Sequence, residues 1–63
     1  MRIWSNHDIF VADIIAQGGL AQVSLQTGFL LSTLTAWFEG TRVPHWISRA
    51  GIAVALGYAP NRY

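Results

Sequence analysis

Residues 20–40 read LAQVSLQTGFLLSTLTAWFEG. Gly28 stands inside this stretch, with apolar residues at helical spacing on either side. Before it, Leu20, Val23, Ser24 and Thr27 fall three and four apart and share one helix face. After it, Leu34, Trp37 and Phe38 repeat the pattern. Glycine reaches positive φ without the steric cost that other residues meet. The stretch therefore predicts a helix over 20–27, a turn at Gly28 plugged by Phe29, and a second helix over 31–39.

The flanks extend the same grammar. Ser5, Asn6 and Asp8 suit a helix start, as caps and as a negative charge in the first turn. Phe10, Val11, Ile14 and Ile15 then form an apolar stripe, and Gly18-Gly19 ends it. This is a first helix over 6–17. Beyond Gly40, the loop Thr41-Arg42-Val43 leads to Pro44, which is harmless near a helix start. A last helix over 45–56 places Ile52, Ala53 and Leu56 inward, with Gly57 after it. Residues 59–63 read as a tail. No segment alternates with the period of a strand. The fold class expected is all-α: a compact bundle of four or five short helices in a single domain spanning 1–63.

Composition sets the energetic terms. The 63 residues are 52% hydrophobic, 13% aromatic and 11% charged, with three tryptophans and no cysteine. A chain this short has a thin stability margin, and without disulfides or a cysteine-bound metal its core must be apolar packing. The aromatic surplus predicts some exposed apolar surface, which marks a partner face. Net charge is +1, from four arginines against Asp8, Asp13 and Glu39, with no lysine. Nucleic-acid modules usually carry a stronger basic excess. Polar residues interrupt the N-terminus too early for a signal-peptide core, and the apolar runs are too short for a bilayer span. The setting expected is cytoplasmic, with no membrane partner.

The chain resembles the phage repressor and Cro family of helix-turn-helix DNA-binding domains. The resemblance rests on Val23, Ser24, Gly28, Phe29, Leu34 and Trp37 in the turn region. Downstream it continues through Gly40, Arg42, Pro44 and Ala55-Leu56-Gly57, and covers roughly residues 9–58. It implies two short helices crossing steeply, the second entering the major groove of double-stranded DNA. It places base contacts at Leu30, Leu31, Ser32 and Ala36, with Thr33 and Thr35 nearby. Phosphate contacts fall at Leu20 and Gln22 and at Thr41 and Arg42. The implied function is sequence-specific DNA binding by a small transcriptional regulator, with dimerisation setting two reading helices about one DNA turn apart.

Several residues depart from that pattern. Leu30 stands where the family usually has a capping Ser or Thr, and Leu31 where it has a polar reader. A leucine meets a thymine methyl but reads no hydrogen-bond pattern. Leu30-Leu31 therefore has three readings: self-association or protein binding, thymine contact, or core packing. Ala36 is equally mute, and Glu39 opposes the helix dipole. Arg49 replaces an apolar residue of the family. Trp46 is either a lid over the third helix or a partner contact. Arg2 and Arg62 are terminal arms or frayed ends. The alternative function is a helix-turn-helix scaffold for protein association with little DNA binding, a phage assembly component or a designed or resurfaced homo-oligomer, with Leu30, Leu31 and Trp46 at the interface.

Catalysis is not expected. His7 and His45 lack metal-ligand spacing, and His7 beside Asp8 reads as a solvated helix-start pair. No nucleophile elbow or glycine-rich phosphate loop is present. No cofactor, metal or small-molecule substrate is implied.

Overall fold

The structure is a computed structural model that describes residues 4–63. Four helices follow one another: α1 His7–Ala16, α2 Leu20–Thr27, α3 Leu31–Glu39 and α4 Trp46–Ala55. The fold is all-α, and no strand occurs among the described residues. Helix bounds match expectation within a residue, at 20–27 and 31–39 without any shift. Arg2, one of the expected arms, lies outside the described residues.

Glycines set the direction changes. Gly18 and Gly19 take φ of 107° and 101°, and the chain leaves α1 to start α2 at 86° to it. Gly28 closes α2 in the left-handed region, φ 83° and ψ 0°. A Cβ there would meet no atom within 4 Å, so Gly28→Ala should cost backbone strain alone, about 1–2 kcal/mol. Urea unfolding measures it, and a loss of only a few tenths would show that the turn relaxes.

Two side chains hold that turn through three hydrogen bonds. The Ser24 hydroxyl donates to the Phe29 carbonyl at 2.7 Å, and the Thr27 hydroxyl donates to the Val23 carbonyl at 2.7 Å. The Phe29 N–H donates in turn to Thr27 Oγ1 at 3.3 Å. These hydroxyls satisfy backbone groups that a sharp turn would otherwise leave unpaired. Phe29 is thereby aimed at Trp37, their ring centroids 5.9 Å apart and edge-on.

The core is Trp4, Phe10, Ile14, Val23, Leu34, Trp37, Ile52, Ala53, Leu56 and Tyr63. The inward stripes of α2, α3 and α4 match expectation: Val23, Leu34, Trp37, Ile52 and Leu56 are buried, and Phe38 packs against them. Phe10 is the hub, with Trp4, Trp37 and Tyr63 rings at 5.4, 6.4 and 5.4 Å. Ile15 departs from expectation: it is exposed, because it stands about 100° round the helix from Ile14, off the face that buries Phe10 and Asp13.

The two ends of the chain also differ from the sequence reading. His7 is buried, not solvated. Its Nε2–H donates to the Phe38 carbonyl at 2.7 Å, satisfying one of the carbonyls left free at the end of α3. Asn6 makes no side-chain cap for α1. Its amide instead donates to the carbonyls of Arg62 and Tyr63 at 3.3 and 3.0 Å. Residues 59–63 are therefore no loose tail. Arg62 grips the buried Asp13 through two hydrogen bonds, Nε to Oδ2 at 2.6 Å and Nη2 to Oδ1 at 2.9 Å. The Tyr63 hydroxyl donates to the same carboxylate at 2.7 Å, and Arg62 lies 3.9 Å over the Tyr58 ring.

Candidate nucleic-acid interface

The helix pair α2–α3 presents the residues that the resemblance singled out. Leu34 and Trp37 tie α3 to the core, so its opposite side faces solvent. Leu30, Leu31 and Ser32 are exposed, and Thr33, Thr35 and Ala36 are half-buried. The core-packing reading of Leu30-Leu31 is excluded: Leu30 is 71% exposed and Leu31 47%.

The donors on that side are few. Thr35 Oγ1 donates to the Leu31 carbonyl at 2.7 Å, and Thr41 Oγ1 to the Ala36 carbonyl at 3.2 Å. Their protons are spent on the backbone, leaving oxygen lone pairs to accept. On this side the exposed Ser32 and the half-buried Thr33 keep their hydroxyl protons uncommitted among the described residues. Leu31 and Ala36 offer only methyl contact. Glu39 is exposed at the end of α3.

The groups expected to meet phosphate come from two places. Gly19 precedes α2 with no side-chain cap, so the first N–H groups of the helix lack an intrahelical partner. Leu20 itself is half-buried against the core and offers only its backbone, whereas Gln22 is exposed. After α3, Gly40 turns left-handed at φ 78°, and the N–H groups of Thr41 and Arg42 both reach the Ala36 carbonyl. That closure leaves the Arg42 side chain exposed beside the C-terminal end of α3. Arg62, committed to Asp13, is withdrawn from any such role.

α3 starts without a cap. Leu30 has the extended backbone of an N-cap, φ −61° and ψ 136°, and makes no side-chain bond to the first turn. Leu30→Ser should supply the missing acceptor and stabilise a monomer by about 1 kcal/mol, raising Tm by roughly 4–8 °C. A lower, concentration-dependent Tm would instead place Leu30 inside an oligomer contact. α4 is capped, by a residue the sequence did not flag: His45 Nδ1 accepts the Ile47 N–H at 3.3 Å.

Trp46 is not a lid over α3. It is 64% exposed, its indole tilted against His45. With Arg49 and Ala50 it faces Pro60, Asn61 and Tyr63 across an open cleft. No single described helix is long and apolar enough to cross a membrane. No group of three or more metal-ligating side chains occurs among the described residues. Against known proteins, the chain matches no family model, no curated protein and no solved structure.

Proposed function

We propose that the chain is a small helix-turn-helix regulator that binds double-stranded DNA sequence-specifically, as a cytoplasmic homodimer acting by occupancy. The observation that carries this reading is the pose of α3. It is pinned from one side by Leu34 and Trp37 and follows a left-handed glycine turn, with Leu31, Ser32, Thr35 and Ala36 left on its open side. A major groove admits one such helix. Ser32 then meets a base edge or phosphate, while Leu31 and Ala36 favour thymine methyls. The bare start of α2 and the Arg42 side chain anchor phosphates on either side.

Few cations are available, so salt dependence should be shallow. One or two arginine contacts per protomer give a dimer a log–log slope of about −2 to −4. Fluorescence anisotropy with a randomised duplex library at low salt, followed by selection of bound sequences, tests the proposal. Enrichment of thymine-containing sites, weakened by Arg42→Gln, supports it. Absence of binding at tens of micromolar protein in low salt overturns it.

A second reading is favoured by a specific observation. Nine large apolar side chains are exposed among the described residues, Leu25 (84%) and Leu30 (71%) most of all. On that reading the same scaffold serves protein association. Replacing Leu30 with serine and Leu31 with glutamine separates the two. Loss of self-association with no effect on DNA makes the pair an association surface, whereas changed base preference makes it a reading surface.

A further inference from the structure

Two residues stand out in the sequence and take no part in the DNA reading: Trp46 and Arg49. They lie three apart on α4 and therefore on one side of it. Together with Ala50 they form one wall of a cleft whose other wall is Pro60, Asn61 and Tyr63. The cleft has a volume of about 410 Å³, inside the roughly 300–1,000 Å³ range of small-ligand sites.

Its chemistry is mixed in a particular way. The Trp46 indole is flat and exposed, and the apolar Pro60 ring is exposed on the facing wall. Arg49 is half-buried, and its guanidinium makes no hydrogen bond or ion pair among the described residues. A partly desolvated guanidinium without an anion is a planar, two-pronged donor waiting for a carboxylate. Asn61 adds an exposed carboxamide that both donates and accepts. The second wall is also held in place. Tyr63 is 7% exposed, its hydroxyl is held by Asp13, and its main-chain oxygen is held by Asn6. A site formed in advance saves the ordering cost of binding.

We infer that this cleft binds a planar aromatic carboxylate, its ring against Trp46 and Pro60 and its carboxylate on Arg49 with help from Asn61. The inference is independent of DNA binding and is tested without DNA. Naphthalene-2-carboxylate is titrated into ¹⁵N-labelled protein, with naphthalene-2-methanol and acetate as partial ligands. Saturable shifts are expected at the Trp46 indole N–H, the Arg49 side-chain N–H and the Asn61 amide. The dissociation constant should be on the order of 0.1 mM, which a ligand of about a dozen heavy atoms can reach. Each partial ligand should bind about tenfold more weakly or worse, since each lacks one of the two contacts.

Arg49→Gln and Trp46→Ala should each weaken binding by about tenfold. Arg49→Lys keeps the charge but loses the planar fork, and its affinity should fall between those of wild type and Arg49→Gln. Unchanged Tm in these variants confirms that they fold. Equal binding by Arg49→Gln and wild type overturns the inference. So do shifts centred on the exposed leucines of α2 and α3, or no saturation below about 10 mM ligand, a hundredfold above the affinity expected.

Discussion

Phe10→Ala should remove about 3–5 kcal/mol of stability, a third or more of what a chain of this length holds. Phe10 is fully buried and stands among the rings of Trp4, Trp37 and Tyr63. Its removal opens a cavity that none of those rigid rings can fill by turning, because each is held by its own packing. Truncations of this kind cost about 3–5 kcal/mol. A domain of this length holds roughly 3–9 kcal/mol in total, and the loss consumes much or all of it. Far-UV circular dichroism against urea gives the result directly. Phe10→Leu keeps most of the volume and should retain a cooperative transition. A Phe10→Ala protein melting within a few degrees of wild type would mean that the aromatic cluster is not the centre of the core.

Much of this core was legible because it is local. Leu34 and Trp37 share a face by spacing alone, and so do Ile52 and Leu56; all four are buried. The turn was legible for the same reason. Gly28 and Gly40 stand directly after periodic runs, and both are left-handed. Periodicity also carried information that the sequence reading left unused. Asp13 lies three after Phe10 and next to Ile14, on the inward side of α1, and it is 6% exposed. An acid in that place needs a buried partner. The partner, Arg62, is 49 positions away, and no spacing rule connects them. Trp46 shows the same limit in reverse. Six positions before Ile52, it falls off the inward stripe of α4, which explains its exposure.

The candidate interface was legible as a set of positions, less so as chemistry. Leu30, Leu31 and Ser32 are on the open side of α3. What the sequence did not reveal is how many polar groups are already spent. Thr35 and Thr41 donate to carbonyls of α3, and Arg62 is taken by Asp13. A count of residue types treats these as available, whereas hydrogen bonding removes them. The surface left for a partner is accordingly more apolar than the composition implies. This is why the experiments on Leu30 and Leu31 discriminate between partners better than any change of charge.

Stability should fall below about pH 4 and again above about pH 10, with a different side chain responsible for each limb. The Arg62 guanidinium, hydrogen-bonded to Asp13, holds that carboxyl below its ordinary value of 3.8. Burial opposes the shift, and the Tyr63 hydroxyl adds to it. A depressed folded pKa contributes stability that is complete above the unfolded value and lost as pH falls through the folded one. The acid limb therefore opens below about pH 4. Tyr63 works in the opposite sense. Burial first, and then the neighbouring Asp13 carboxylate, push its phenol above the ordinary 10.0. A raised folded pKa contributes stability that is complete below the unfolded value and fades as pH rises past it, so the alkaline limb opens above about pH 10. Asp13→Asn should melt below wild type at about pH 7, and the gap should close as the acid limb is descended toward about pH 2. Tyr63→Phe should flatten the alkaline limb while leaving the acid one in place. Thermal melts across the pH range decide the matter. An acid limb that survives intact in Asp13→Asn would take it away from Asp13, and the docking of residues 62 and 63 on α1 would then owe little to the carboxylate between them.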